Sequence, residues 1–198
     1  DFSLDKRALE SILLSFKGTY MQEVPLYSSV RVNGKRLYKY AREKEEVNLP
    51  KREVTIFDIS LLSFDSLSFS FKVKVSKGTY IRSLIRDIGD KLGIPCSMEE
   101  LERVKQGSFS IEDSNTLEDI EKGNYKVIPM LKVFEKYFVV TADTYLENMI
   151  LNGRILENRY DQDLVVFKSE SDNVLAIYEV YDKDNTKIKP LKVFKDNA

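Results

Sequence analysis

The sequence contains no histidine and a single cysteine, Cys96, among its 198 residues. Without histidine the chain lacks the commonest general base and the commonest metal ligand, so any chemistry must use carboxylates, tyrosines, lysines or arginines. A single cysteine excludes an internal disulfide framework and a multi-cysteine zinc site, which favours a reducing compartment. We therefore expect neither a disulfide nor a multi-cysteine zinc site.

Long apolar runs and flexible low-complexity segments are also missing. No stretch of 18 apolar residues occurs, and the first ten residues lack the apolar core of a signal peptide. Five prolines and eight glycines leave little room for a disordered tail. These features predict a soluble cytoplasmic protein with no membrane partner. We expect a monomer, although the sequence itself does not give the oligomeric state.

Positive charge is concentrated in two segments although the net charge is only −1. Residues 31–52 contain eight Lys or Arg against three Glu, and residues 72–91 contain six against two Asp. Segregated charge can create a face that meets phosphate without a high isoelectric point. Solvated helix faces and a strand edge would explain the same pattern, so charge alone does not decide between these readings.

Apolar spacing and turn residues predict the elements of the first 110 residues. Ser3 is the expected N-cap of a helix that ends at Lys17 and Gly18. A strand over 54–64 has apolar residues on both parities, so we expect it to be covered on both faces. The other predicted elements are a strand over 27–32 before an Asn33-Gly34 turn, a basic helix over 37–43, a turn at Asp65 and Ser66, an alternating strand over 67–75, a helix over 81–92, and a short helix over 97–107 opened by Ser97 and Glu100.

The segment VSKGTYIRSL, residues 75–84, lies where strand alternation changes to helical spacing. A junction of this kind holds Tyr80 and Arg82 on a rigid support beside free backbone N–H donors, which suits a site that binds an anion or positions a carboxylate. Gly78 permits a tight turn or a close approach to a ligand. An ordinary strand-helix turn with a surface tyrosine and arginine is the alternative interpretation.

The last third of the chain reads as a separate small module rich in β-structure. We expect a connector over 114–135 without a capping box, and then a strand over 137–140, a helix over 142–151, and strands over 163–168, 174–181 and 188–194. We therefore predict an α+β protein with a mixed, mainly antiparallel sheet and flanking helices over residues 1–133, followed by a β-rich module over residues 134–198.

Four sequence blocks, in order, carry a resemblance to a known family. They are PLYSSVRVNGKRLYKYAR (25–42), LPKREVTIFDI (49–59), VSKGTYIRSLIRDIGDKLG (75–93) and LERVKQGSF (101–109). Together they resemble the TruB-type tRNA pseudouridine-55 synthases over about 100 residues. A single short motif would be weak evidence, whereas four blocks in the same order are specific. The tail, with Asn152-Gly153 and the segment 190–194, is similar to the small PUA-like RNA-binding domain of bacterial members.

The resemblance implies an isomerase that flips a uridine out of the T-loop of tRNA, breaks its N1–C1′ bond and rejoins the base through C5, without cofactor or metal. It places base stacking on Tyr27, assigns Tyr80 and Arg82 to the catalytic site, with Tyr80 against the base, and puts Leu101 in the pocket lining. A base removed from its stack needs an aromatic replacement, and a buried carboxylate needs a cation to stay ionised. The predicted contacts to the T-arm of tRNA are Arg31, Lys35, Arg36, Lys39, Arg42 and Lys77.

The sequence departs from the family in one respect. The block that carries the nucleophilic aspartate, and the histidine that helps to extrude the base, have no match between Asp1 and Pro25. Asp58 and Asp87 are poor substitutes because they fall within a predicted strand and a predicted helix. We therefore expect a fragment that is inactive alone. A non-catalytic tRNA-binding or tRNA-folding module, and a protein-interaction domain, remain as alternatives.

Overall fold

The computed structural model describes residues 5–65 and 67–194. The chain divides into two compact units, Asp1–Glu102 and Arg103–Ala198. The assignment of family domains to residues 1–133 and 134–198 stays a prediction.

The first unit is an antiparallel three-stranded sheet with two helices packed on one face. The elements of this unit are α1 (Lys6–Leu14), β1 (Gly18–Glu23), β2 (Arg31–Val32), β3 (Lys35–Arg36), α2 (Leu37–Glu43), β4 (Lys51–Phe64), β5 (Phe69–Val75) and α3 (Ile81–Leu92). The sheet has the order β1-β4-β5, and the short strands β2 and β3 form a separate hairpin.

The core of this unit forms because amphipathic helices cover the apolar face of the sheet. Leu9 and Leu13 of α1, Ile56 of β4, and Leu84 and Ile88 of α3 are buried in one cluster. The alternating strand prediction is confirmed in β5, where Phe69, Phe71, Val73 and Val75 pack against this cluster. Burial of such side chains contributes roughly 1.5–3 kcal/mol each, so the core fixes the position of β5 relative to α3.

The apolar residues of β4 occupy both odd and even positions, but the strand is not buried on both faces as predicted. Phe57 and Leu62 are extra residues at two β-bulges, where the pairing with β5 shifts between Ile56 and Asp58 and again between Leu61 and Ser63. Both extra side chains are exposed, by 50% and 65%. A bulge reverses the alternation, so β4 buries one face only.

Three other expectations for the first unit need correction. In the segment 27–32, residues 27–29 are bends, residue 30 has no regular structure, and only Arg31–Val32 is a strand. Ser3 and Ser66 lie outside the described residues, and the N-cap of α1 is Asp5, whose carboxylate accepts hydrogen bonds from two helix N–H groups. The short helix over 97–107 is wrong, because residues 95–104 have no regular structure and Lys105–Gln106 pairs with Phe109–Ser110 in a hairpin.

The second unit is built around a five-stranded sheet. Its elements are β6 (Lys105–Gln106), β7 (Phe109–Ser110), a 3-10 helix (Ile111–Asp113), α4 (Leu117–Glu121), α5 (Met130–Val133), β8 (Phe138–Thr141), α6 (Thr144–Leu151), β9 (Leu156–Glu157), β10 (Leu164–Lys168), β11 (Val174–Tyr181) and β12 (Asp184–Val193). The strand order of the sheet is β8-β10-β11-β12-β9. Its core includes Phe167, Tyr178 and Ile150, which are fully buried.

The connector of this unit is more ordered than the sequence suggests. Thr116 and Asp119 form a reciprocal capping box at α4, so the expectation that this segment has no capping box is wrong. A capping box pairs the N-cap with the residue three positions later, which is Asp119 and not Glu118. Within the described residues, no helix has the length and apolar character that a membrane span requires.

Candidate active site

The strand-to-helix junction consists of five residues, 76–80, between the end of β5 and the start of α3. Gly78 has φ +90°, a conformation that other residues rarely adopt, and the Thr79 hydroxyl donates a 2.9 Å hydrogen bond to the Ser76 carbonyl. The N-cap of α3 is Tyr80, and its side chain makes no capping hydrogen bond. The tyrosine ring is therefore free of a capping role and half-buried.

Arg82 connects this junction to the Tyr27 loop. Its Nη2 donates a 2.8 Å hydrogen bond to the Tyr27 backbone carbonyl, across 55 residues of sequence. Nε and Nη1 of Arg82 make no hydrogen bond within residues 5–65 and 67–194, so they are available to an anion. The Tyr27 ring is 60% exposed. The structure thus joins Arg82 to the backbone of Tyr27, two of the four residues predicted to contact or act on the base, and Tyr80 precedes Arg82 by two residues.

A buried side chain that sequence reasoning missed fixes the backbone of Tyr80. Gln22 of β1 is only 1% exposed. Its Oε1 accepts a 2.8 Å hydrogen bond from the Tyr80 N–H, and its Nε2 donates to the Tyr80 carbonyl at 3.2 Å and to the Tyr20 hydroxyl at 2.8 Å. Of the backbone N–H groups expected to be free at this junction, that of Tyr80 is therefore occupied. Strand β1 was itself not predicted, so no sequence signal marked Gln22.

Further contacts hold α3 against β1. The buried Ser83 hydroxyl donates to the Glu23 carbonyl at 2.8 Å, and Arg86 forms ion pairs with Glu23 at 3.0 Å and Asp87 at 2.8 Å. Burial raises the pKa of Tyr20 to about 12. Its hydroxyl consequently stays protonated at neutral pH and can serve Gln22 as a hydrogen-bond acceptor.

The predicted RNA-binding residues differ in their availability. Lys35 is already paired with Glu43 and Glu45, which raise its pKa, and its ammonium lies 4.7 Å from the centre of the Tyr40 ring. In the described part of the chain, the other five side chains form no ion pair within 4.0 Å and are exposed: Arg31, Arg36, Lys39, Arg42 and Lys77. Lys35 is thus the least available of the set.

Leu101 is 60% exposed in the irregular segment after α3, and its role in lining the pocket stays a prediction. Asp58 pairs with Lys17 at 3.1 Å, and Asp87 pairs with Arg86, so both carboxylates already have cationic partners. The described residues contain no cluster of three or more Cys, Asp or Glu side chains that would suit a metal ion.

Solved structures place this fold in a known class. A chain in the crystal structure of a Cbf5-Nop10-Gar1 complex matches with a TM-score of 0.65 and 23% identity, over 98% of this chain and 62% of that one. A chain in an H/ACA RNP bound to a substrate RNA containing 2′-deoxyuridine matches with a TM-score of 0.68 and 22% identity, over 98% and 63%. The present chain therefore spans less than two thirds of those solved chains. The predicted α+β pseudouridine synthase fold is confirmed.

Sequence comparisons define the family. Residues 1–81 match the model of the TruB family pseudouridylate synthase N-terminal domain, and residues 82–152 match the tRNA pseudouridylate synthase B C-terminal domain. The tRNA pseudouridine synthase B of Staphylococcus aureus strain Newman is 42% identical over 98% of this chain and 68% of its own length, and that of strain JH9 is 41% identical. The chain belongs to the TruB family of pseudouridylate synthases.

Proposed function

We propose that this chain carries the base-binding part of a bacterial tRNA pseudouridine synthase that isomerises uridine-55 in the T-loop. The observation that carries the proposal is the hydrogen bond from Arg82 to the Tyr27 carbonyl, which joins the two sequence blocks that the family uses at its site. Free Cys96 suits the reducing cytoplasm, where we place the protein as a monomer.

The residue roles follow from chemistry. A uridine taken out of its stack needs an aromatic surface, which the exposed side chain of Tyr27 offers, and Tyr80 lies two residues before Arg82, which contacts the Tyr27 loop. The remaining N–H groups of Arg82 suit a carboxylate, because an adjacent guanidinium lowers the pKa of a carboxyl that burial would raise. Exposed basic side chains of the β2–β3 hairpin and α2 suit the phosphates of the T-arm.

The nucleophilic aspartate is the part that this chain does not supply in our proposal. Asp58 and Asp87 are held by Lys17 and Arg86. We expect the 198 residues alone to bind tRNA but to form no pseudouridine. Tritium release from a tRNA transcript labelled at uridine C5 measures this directly, and turnover by the chain alone would show that one of its own carboxylates is the nucleophile.

A fusion protein tests the positive half of the proposal. The portion of the Staphylococcus aureus relative that has no counterpart here would be joined to this chain, and the same assay run on wild-type tRNA and on a transcript with cytidine at position 55. Turnover confined to the uridine transcript supports the proposed reaction. Binding of tRNA without turnover by the fusion favours the alternative of a non-catalytic tRNA-binding or folding module.

A further inference from the structure

We propose that Gln22 is a positioning residue that sets the location of Tyr80, and through it Arg82, for the reaction. This role rests on the proposed function. Gln22 touches neither the base nor the reacting atoms in this proposal. It acts through the backbone of the residue at which strand becomes helix, and it does so from β1, a strand remote in sequence from Tyr80.

The geometry of the contact is specific to a carboxamide. One side chain accepts from the Tyr80 N–H at 2.8 Å and donates to the Tyr80 carbonyl at 3.2 Å, so it engages both backbone polar groups of a single residue. The Tyr80 carbonyl also accepts the first helical hydrogen bond, from the Leu84 N–H at 3.0 Å. Gln22 therefore fixes the start of α3 and the peptide that carries the tyrosine ring.

The surroundings leave Gln22 little freedom. The side chain is 1% exposed, and the Tyr20 hydroxyl accepts a second hydrogen bond from its Nε2 at 2.8 Å. The Tyr20 hydroxyl in turn faces Asp87 of α3 at 3.5 Å. A fully hydrogen-bonded buried amide is held in one orientation. Because Arg82 follows two residues after Tyr80, the same contact sets where its guanidinium meets the Tyr27 loop.

Amide hydrogen exchange on the 198-residue chain tests the positional part. In Gln22→Met, which keeps the side-chain length but has no amide, we expect exchange of the Tyr80 N–H to accelerate by about tenfold. Ser83→Ala is the matched control, since it removes an equally buried hydrogen bond between α3 and β1. It should leave Tyr80 exchange within about twofold of wild type.

Single-turnover kinetics on the active fusion protein test the functional part. We expect Gln22→Met to lower the rate at saturating tRNA by about tenfold or more with tRNA affinity within about threefold, because exposed cations set affinity. Ser83→Ala should reduce at most the reactive fraction and leave the rate unchanged. If the Gln22 contact were merely structural, both variants would lower the fraction of enzyme that reacts, and neither would change the single-turnover rate.

The Gln22→Glu variant supplies a pH readout. A protonated carboxyl can both accept from the Tyr80 N–H and donate to its carbonyl, whereas a carboxylate has no donor. Burial raises the pKa of such a carboxyl, so the rate relative to wild type should recover as the pH falls from 8 to 6. A wild-type rate in Gln22→Met, an equal loss in Ser83→Ala, or a ratio independent of pH would each overturn the role. An inactive wild-type fusion would instead overturn the proposed function and this role with it.

Discussion

The two halves of the predicted RNA site in the first unit are constructed differently. At the Tyr80 junction, buried polar side chains hold the backbone, with Gln22 and Ser83 each 1% exposed. On the β2–β3 hairpin and α2, cations such as Arg36 and Lys39 are exposed on the surface. Hydrogen bonds fix atoms to within tenths of an ångström, whereas attraction to phosphate depends mainly on charge and salt. Buried hydrogen bonds therefore hold the part of the site that would contact a single base. The surface that would face phosphates consists of exposed cations that no buried contact among the described residues holds.

The largest expected effect concerns Arg82 in the fusion protein. Arg82→Lys keeps the charge but cannot hold the Tyr27 carbonyl and a carboxylate at the same time with a planar guanidinium. We expect kcat to fall by about 10- to 1,000-fold, or roughly 1.4–4 kcal/mol. Single-turnover rates measure the change.

A urea melt of the same pair of proteins is the control for Arg82. The side chain is exposed, so its replacement should change the free energy of unfolding by less than about 1 kcal/mol. A wild-type rate in Arg82→Lys would mean that Arg82 is an ordinary surface residue at a helix start with no role in catalysis. The Tyr80 junction would then have no functional need for its buried hydrogen bonds.

The next effect concerns the exposed cations. Replacing Arg36 and Lys39 with glutamine should weaken binding of this chain to any tRNA, and should flatten the dependence of log affinity on log salt by about one unit per lost phosphate contact. Fluorescence titration of labelled tRNA at several salt concentrations measures the slope.

A matched variant separates local contact from net charge in that titration. Lys6→Gln with Lys122→Gln removes the same charge outside the two basic segments, from side chains near Glu10 and Glu118. Its salt slope should stay at the wild-type value. Equal slopes in both double variants would mean that the hairpin and α2 cations are a solvated surface.

The smallest effect compares two buried serines near the junction. Ser83→Ala loses a hydrogen bond to the Glu23 carbonyl and should cost about 1–2 kcal/mol. The Ser28 hydroxyl is buried without a hydrogen-bond partner in the described structure, so Ser28→Ala should lie between neutral and about 1 kcal/mol stabilising. Urea melts measure both, and a substantial loss in Ser28→Ala would reveal a bound partner for that hydroxyl.

Sequence reasoning succeeded where a local pattern decides the structure. The alternation of β5 and the spacing of α3 predicted both elements, α2 was predicted at its observed bounds, and Asn33-Gly34 forms the expected turn with both residues at positive φ. The motif order identified the family, and the predicted contacts of Tyr80, Arg82 and Tyr27 with the base stay predictions.

The features that escaped prediction depend on tertiary contacts. Strand β1 has few β-branched residues and becomes a strand because it pairs with β4 from Gly18 to Glu23. The amide of Gln22 reaches Tyr80 across 58 residues, a distance that no local pattern encodes. Lys35 looked like the other cations, but the pairing of β2 with β3 and the start of α2 bring it beside Glu43 and Glu45.

The bulges of β4 bear on how the lengths of related sequences can vary. Phe57 and Leu62 are each the unpaired member of a two-against-one match with β5. Removing either residue would leave Ile56, Ile59 and Phe64 on the same face as before, because the strand would simply become regular at that point. Removing a paired residue would exchange core and solvent faces for the rest of the strand. A one-residue gap in an alignment is therefore structurally silent at these two positions and disruptive elsewhere in the strand.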